Sequence, residues 1–187
     1  MTRIAYRSPE QMTEQARELT LERGNLNVYR ALANAENVFT GWMQAGRAAL
    51  TSPVLPARLR EVIILRTAHL MDSPYEIAQH IAAAGAAGLG PEEITALAHE
   101  SSLGTGEFTE AERAVVELTT QLLTTRHATA EALAEVHTAL GAEATVEVLM
   151  VINRWAGLAL MLNALDVDVD ETARLAIPPK DDARGLA

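Results

Sequence analysis

Apolar residues recur along this chain at intervals of three and four positions, the spacing that places them on one side of an α-helix. No segment shows the strict alternation of apolar and polar residues that is typical of a half-buried strand. Signals that start and stop helices follow one another along the whole sequence. The pattern therefore predicts an all-α fold, an antiparallel helical bundle in a single domain.

Prolines, glycines and capping residues divide the chain into its predicted helices. Ser8, Pro9 and Gln11 match the pattern of a capping box with proline at the first helical position. The run Gly88-Leu89-Gly90-Pro91 ends one helix and begins the next. We therefore expect helices over 8–24, 26–50 with a break near 34–37, 57–71, 74–88, 91 onward, 109–124, 129–141 and 142–165, a glycine-containing loop at 101–107 and a frayed tail from 178.

The final predicted helix contains the most apolar stretch of the sequence, residues 148–165. Asn153, Arg154 and Asn163 interrupt this stretch, and an arginine near the centre of a bilayer costs at least about 2.5–3.5 kcal/mol. We therefore expect a buried core helix and no membrane partner. The first residues, MTRIAYRSPEQM, lack the apolar core of a signal peptide, which predicts a cytoplasmic protein.

Composition narrows the class of protein further. The 187 residues are 49% hydrophobic and 21% charged, a globular balance within the usual size of one domain. Fifteen basic and twenty-five acidic side chains give a net charge of −10, so we expect no nucleic-acid partner. Cysteine is absent from the sequence, which excludes disulfides, thiolate metal ligands and a thiol nucleophile.

The candidate chemistry lies on two consecutive helices, within residues 59–94. Glu61 and His69 share one face of the first helix, and Ser73, Glu76 and His80 share one face of the second. A short turn folds the two helices into a hairpin, so polar groups of both can meet at one seam. A carboxylate in such an apolar setting has a raised pKa unless it is satisfied, and a Glu/His pair there is typical of acid–base chemistry near neutral pH.

The same block resembles the carboxymuconolactone decarboxylase and alkylhydroperoxidase D superfamily. The signature of that superfamily is a Glu, twelve residues later a Cys-x-x-Cys, and a His four residues after the second Cys. Glu61 and His80 match the family's Glu and His, and the run AAAGAAGLGPEEI matches the segment that follows the His. LANAENVFTGWMQAG and VINRWAGLALMLNAL are also similar to family segments, so the resemblance covers about 28–169.

The resemblance implies a helical domain over 26–170, which leaves an N-terminal helical extension at 1–25 and a C-terminal tail at 171–187. It also implies assembly into a homotrimer or homohexamer. Alanine-rich helix faces, which bury little area within one chain, favour the same conclusion.

The chain departs from the superfamily at the two cysteines, where Ser73 and Glu76 stand instead. Tyr75 occupies the position at which the peroxidase branch often has a His. A thiol peroxidase needs a low-pKa thiolate, which this sequence does not contain. The decarboxylase branch, which works on a small lactone by acid–base chemistry, is the nearer one in mechanism.

Two groups of residues are predicted to form the site. The catalytic candidates are His80 as general base or acid, Glu61 as the group that orients it, and Tyr75 or Glu76 as the second proton carrier; the substrate-binding candidates are Ser73, Arg66, Trp42 and Asn153. We expect no metal and no cofactor, since the zinc pattern His-Glu-x-x-His, a phosphate-binding glycine loop and a dinucleotide fingerprint are all absent from the sequence.

Several of these residues also have a purely structural explanation. Ser73 and Glu76 fit a capping box around Pro74, and Arg66 fits a structural ion pair. Trp42 fits the helical spacing of core residues, and a capping or interface role fits Asn153 and Arg154.

The sequence is therefore compatible with three functions. The first is a cofactor-free acid–base enzyme acting on a small organic acid, lactone or enolisable substrate, of decarboxylase or isomerase type. The second is an antioxidant peroxidase, which the missing cysteines disfavour. The third is a non-catalytic helical oligomer that binds a small ligand, which a buried and fully hydrogen-bonded His80 would favour.

Overall fold

The computed structural model describes residues 2–99 and 108–171, and every regular element in this part of the chain is helical. A 3₁₀ turn at Pro9–Gln11 precedes eight helices: α1 Glu14–Glu22, α2 Asn27–Leu32, α3 Glu36–Thr51, α4 Ala57–Leu70, α5 Pro74–Ala86, α6 Pro91–Ala96, α7 Glu110–Thr125 and α8 Ala130–Leu165. The predicted all-α fold is confirmed. The predicted loop at 101–107 and the tail from 178 lie outside the described residues.

A threonine side chain caps the start of three helices, α1, α7 and α8. The Thr109 hydroxyl accepts from the Glu112 N–H, and the Glu112 carboxylate accepts from the Thr109 N–H at 2.8 Å, which is the reciprocal capping box that the sequence predicts. The Ser8–Gln11 box also forms, but the single helix predicted over 8–24 does not. Met12 is extended with ψ 154°, so the chain restarts at α1 with Thr13 as the new cap.

The predicted boundary near residue 141 lies inside α8. Gly141 has φ 82° and ψ 172°, a conformation outside the helical region, and the helical residues on either side continue in a new direction. The remaining long stretch ends at Asp166, whose left-handed φ of 54° stops the helix.

Helix α4 is the centre of the bundle and packs against α5, α7 and α8. Four consecutive residues, Val62, Ile63, Ile64 and Leu65, have no exposed surface, so the middle of this helix is covered on every side. The apolar half of α8 packs on it through Val151, Ile152 and Trp155. By length and composition α8 could cross a membrane, and burial against α4 and α7 accounts for much of its apolar character.

The two ends of the described chain meet on one side of the bundle. The Arg3 N–H donates to the Leu165 carbonyl at 2.7 Å, and the Tyr6 hydroxyl donates to Asp168 at 3.0 Å. The segment after α8 then crosses α2, where the Asn27 side chain donates to the Asp168 carbonyl at 3.0 Å. At its end, Asp170 accepts hydrogen bonds from Tyr75 and Gln79 on α5.

Candidate active site

The α4–α5 hairpin brings the two leading candidates together. The turn between the helices is short because Asp72 adopts a left-handed φ of 48°, so α5 folds back along α4. Glu61 on α4 and His80 on α5 therefore face each other although nineteen positions separate them. Helix α8 crosses this hairpin and adds Trp155 to the same cluster.

His80 has a neighbour at each ring nitrogen. Its Nδ1 lies 2.8 Å from Oε2 of Glu61, and its Nε2 lies 3.1 Å from the indole nitrogen of Trp155. An indole N–H can only donate, so Nε2 of His80 must be the acceptor. The geometry therefore selects a neutral imidazole that carries its proton on Nδ1 and donates it to Glu61.

Burial and the neighbouring carboxylates shift the pKa of the His80 imidazole in opposite directions. Burial lowers the pKa of His80, whereas the hydrogen bond and charge of Glu61, with the charge of Glu76, raise it to a net value above the ordinary 6.5. Protonation would place a hydrogen on Nε2, where the N–H of Trp155 already points. His80 can therefore take up a proton only by giving up its bond from Trp155.

Glu76 is the second titrating group of the cluster. Its Oε2 lies 3.5 Å from Nε2 of His80, and only 4% of its side chain is exposed. Burial, reinforced by the charge of Glu61, raises the pKa of Glu76 to about 7, although His80 and Arg154 oppose this rise. Glu76 therefore exchanges its proton in the neutral range, beside a histidine whose pKa is raised.

The capping box suggested for Ser73 and Glu76 does not form. The backbone begins α5 at Pro74 as expected, but no side-chain hydrogen bond caps the helix, and the Ser73 hydroxyl is fully buried without a partner among the described residues. The Glu76 carboxylate turns toward His80 instead of back toward the helix start. The structural explanation of Glu76 was therefore wrong, and its position favours the chemical one.

A cavity of about 200 Å³ opens beside this cluster. Glu76, His80 and Trp155 contribute to its wall, while Glu61 lies behind His80. Apolar and aromatic side chains form much of the rest, and three cationic side chains also reach it: Arg23, Arg47 and Arg154. A small pocket with few, convergent polar groups is the usual form of a small-molecule site.

Tyr75 also lines the cavity, but its hydroxyl is held elsewhere. It donates to Oδ2 of Asp170 at 2.5 Å and accepts from the Val28 N–H at 3.2 Å. Burial, and then the bond to the Asp170 carboxylate, raise the pKa of Tyr75 well above its ordinary range. Gln79 donates to the same Asp170 oxygen at 3.1 Å, so this carboxylate fixes two side chains of the cavity wall.

The predicted substrate-binding residues lie in different places. Trp42 lines the cavity, and Asn153 is exposed on a neighbouring groove between α3 and α8. Arg66 is buried away from the cavity, where it donates to the Thr120 hydroxyl and the Leu97 carbonyl, both at 3.0 Å. Ser73 is not among the residues that line the cavity.

Three features of the site have no counterpart in the predicted set: the hydrogen bond from Trp155, the guanidinium of Arg154 and the carboxylate of Asp170. Trp155 lies 75 positions from His80 and Asp170 lies 95 positions from Tyr75, while Arg154 contacts Trp42 on α3, so no local spacing marks these residues. Over residues 2–99 and 108–171, no group of three or more His, Asp or Glu side chains has the arrangement of a metal site.

The middle of the chain matches a known family. The model of the carboxymuconolactone decarboxylase family matches residues 36–121, the segment that contains Glu61, Glu76 and His80. The chain has no significant match among curated protein sequences.

Several solved structures share the fold. An uncharacterised peroxidase-related protein from Ralstonia eutropha JMP134, described as an alkylhydroperoxidase AhpD core, superposes with a TM-score of 0.82 at 15% identity over 95% of this chain and 98% of its own. The debrominase Bmp8, as a cysteine-to-alanine variant in complex with 2,3,4-tribromopyrrole, gives 0.78 at 15% identity over 94% and 96%. A protein of unknown function from Agrobacterium tumefaciens, described as an AhpD-type antioxidant defence protein, gives 0.67 at 16% identity over 74% and 94%.

Proposed function

We propose that this chain, whose residues 36–121 match the carboxymuconolactone decarboxylase family and which contains no cysteine, is an acid–base enzyme acting on a small enolisable acid or lactone. The observation that carries the proposal is the buried array Glu61–His80–Glu76 at a cavity wall. The pKa of Glu76, raised by burial to about 7, lies in the range that suits a general acid or base, and the hydrogen bond to Glu61 keeps the imidazole of His80 in place beside it.

Each member of the array has a distinct task in this proposal. Glu61 holds the imidazole by its Nδ1 and stabilises the imidazolium when Nε2 takes a proton. Glu76 carries the second proton, because the Tyr75 hydroxyl is already bound to Asp170. A proton on a carbon next to a carbonyl would pass to the His80–Glu76 pair, and the pair would return it to the product.

Two features of the relatives do not transfer to this chain. A thiol-dependent peroxide reduction needs a cysteine, and the sequence has none. The same holds for any step that depends on the cysteine replaced in the Bmp8 variant, although that complex makes a small planar ring a reasonable guide to ligand size for this fold.

A second candidate function is non-catalytic binding of a small ligand. It is favoured by the state of His80, whose two ring nitrogens are already hydrogen-bonded inside the protein. The two functions differ in one respect that can be measured, because only an enzyme exchanges protons with the bound molecule.

The decisive experiment follows hydrogen–deuterium exchange at carbon. A panel of small lactones and α- or β-oxo acids is incubated with the protein in deuterated buffer, and loss of the C–H signal is followed by proton NMR. We expect exchange above the buffer rate for at least one compound, reduced about 10²–10⁴-fold by His80→Asn or Glu76→Gln. His137→Asn, at an exposed position of α8, is the matched control and should leave the rate unchanged.

A rate in the His80→Asn and Glu76→Gln variants equal to that of the wild type would refute the assigned roles. Absence of exchange throughout the panel, together with binding of one of its members, would establish the ligand-binding function instead. We expect no turnover of an alkyl hydroperoxide with a dithiol reductant, because the chain has no cysteine to form a thiolate. Such turnover would overturn both functions.

A further inference from the structure

Arg154 is an unusual arginine within this chain. It lies beside Trp155 on α8, and its guanidinium stacks over the ring of Trp42 with the carbon 3.9 Å from the ring centre. Among the residues that the structure describes, no carboxylate forms an ion pair with it and no oxygen accepts a hydrogen bond from it. Arg58, by contrast, is held by Glu93 and Glu112 at 2.6 and 2.7 Å.

The fold makes room for this side chain. Gly46 lies in the middle of α3, and a Cβ placed on it would overlap the Arg154 guanidinium. Glycine is unfavourable inside a helix relative to alanine, so a helical glycine at a close approach usually has a packing reason. Here the close approach belongs to the end of the Arg154 side chain, which lines the cavity.

The charge around the cavity is unbalanced. Arg23 and Arg47 also line it, and Arg47 has a partner, Glu22 at 3.6 Å, while Glu76 is the one acidic side chain among its described lining residues. Burial raises the pKa of Glu76 to about 7 and lowers the pKa of Arg154, because both groups are withdrawn from water. A net positive wall inside a chain of net charge −10 attracts an anion to this cavity.

We propose that Arg154 is the anion-binding residue of the cavity, and that its ligand is a small monocarboxylate with a compact apolar body. A guanidinium with free N–H groups is the donor best matched to a carboxylate. The volume of about 200 Å³ limits the body of the ligand, since an engineered cavity of about 150 Å³ holds one benzene ring. The identification of this ligand as the substrate rests on the proposed function. Its binding at Arg154 does not depend on that function.

The two tryptophans of the sequence provide the readout, because both Trp42 and Trp155 line the cavity. The probes are cyclopentanecarboxylate and cyclopentanecarboxamide, which have the same shape and differ in charge. Titration of the intrinsic fluorescence at about pH 8 should show the carboxylate binding at least about tenfold more tightly than the amide. Arg154→Met should reduce this preference to less than about twofold, and Arg17→Met, at an exposed position of α1, should retain it.

A second variant separates loss of binding from loss of folding. Gly46→Ala keeps the charge but pushes the guanidinium aside, so it should weaken binding of the carboxylate and leave that of the amide unchanged. Equal affinities for the two probes in the wild type, no measurable binding of the carboxylate, or an unchanged preference in both variants would overturn the proposal. These experiments measure binding at equilibrium, whereas the test of the enzyme function measures proton-exchange rates. Failure of one proposal can therefore be distinguished from failure of the other.

Discussion

At the scale of single residues, the chemistry of the site depends on the protonation states of three neighbouring polar side chains. Glu61, His80 and Glu76 are all buried or nearly so, and the indole N–H of Trp155 is directed at the one imidazole nitrogen that remains. A buried polar group is costly unless it is paired, so each of these contacts also stabilises the next. A change of Glu61 or Glu76 therefore alters the pKa of His80.

Replacement of Trp155 by phenylalanine tests this dependence. Trp155→Phe keeps a ring in the core but removes the N–H that faces Nε2 of His80. Protonation of His80 then no longer breaks a hydrogen bond, so the pKa of His80 should rise above its wild-type value. An NMR titration of the histidine ring signals measures this pKa, with His80→Asn to assign the resonance.

Trp42→Phe is the matched control, because Trp42 packs under Arg154 and its ring nitrogen makes no bond to His80. An unchanged or lower pKa of His80 in Trp155→Phe would contradict the assigned donor and acceptor.

Glu76 gives a prediction for the dependence of stability on pH. Its pKa of about 7 in the folded protein exceeds the ordinary 4.5, so the folded state retains a proton that the unfolded chain has lost between these values. The free energy of unfolding must then fall as the pH rises through this window, and the loss is complete above about pH 7. The raised pKa of His80 acts in the same direction, since its stabilising charge disappears as the pH rises through that pKa.

Glu76→Gln removes the carboxylate that is costly to ionise. The Tm of this variant should exceed that of the wild type at about pH 8, and the difference should shrink toward about pH 5, where wild-type Glu76 is protonated. Calorimetry across this range measures it. Glu135→Gln, at an exposed position of α8, should show no such trend, and a constant Tm difference for Glu76→Gln would refute the prediction.

At the scale of helices, the predicted and observed boundaries agree wherever a local signal sets them. Pro74 begins α5 and the Thr109–Glu112 box begins α7, since both effects act within one turn. The helix predicted to continue from the Ser8–Gln11 box to residue 24 does not form, because Met12 is extended. Helix α1 starts after it and packs on α3. A capping signal predicts where a helix starts and carries no information on how far it continues.

The site was predictable to the same limited extent. Glu61 and His80 follow from helical spacing and from the resemblance, and the structure places them 2.8 Å apart. Glu76 also fits a capping box in the sequence, and the structure places its carboxylate 3.5 Å from Nε2 of His80 instead. Arg154 and Asp170 belong to the site through contacts across more than seventy positions, which no spacing rule reports.

The interruption of α8 offers a test at this scale. Gly141 combines φ 82° with ψ 172°, a region of backbone space that is open almost exclusively to glycine. Gly141→Ala should therefore lower the free energy of unfolding by about 1–3 kcal/mol, measured by urea denaturation. Its matched control, Gly85→Ala, lies in α5 with no neighbouring atom in reach of a new Cβ, and should stabilise the protein by about 0.5–1 kcal/mol.

A fall in stability for Gly85→Ala as large as that for Gly141→Ala would show that backbone conformation is not the cause.

At the scale of the whole molecule, α3 and α8 leave an open apolar groove of about 740 Å³ next to the cavity. Small residues such as Ala45, Ala48 and Ala49 form one side, and Met150 projects from the other with 65% of its surface exposed. In the isolated chain Met150 therefore faces outward. Exposed apolar surface of this kind is rarely left to water.

We therefore expect the chain to associate with itself, with this groove among the buried surfaces, and the superfamily resemblance indicates a trimer or hexamer. Light scattering coupled to gel filtration should give three or six times the protomer mass of 20.1 kDa. Met150→Asp should lower the observed mass, whereas Leu21→Asp, an exposed residue of α1 outside the groove, should not. A single species of 20.1 kDa would refute the prediction, and a dimer would refute the expected stoichiometry alone.

The meeting of the two chain ends has a consequence for synthesis on the ribosome. Arg3 bonds to Leu165, Tyr6 bonds to Asp168, and Asp170 holds Tyr75 at the cavity wall, so the first and the last described residues complete the same side of the bundle. A chain that has emerged only as far as α7 contains Glu61, Glu76 and His80 but none of these closures. The nascent protein therefore contains its acid–base residues before the contact that fixes Tyr75 at the cavity wall can form, and this contact becomes possible only when residue 170 has left the exit tunnel.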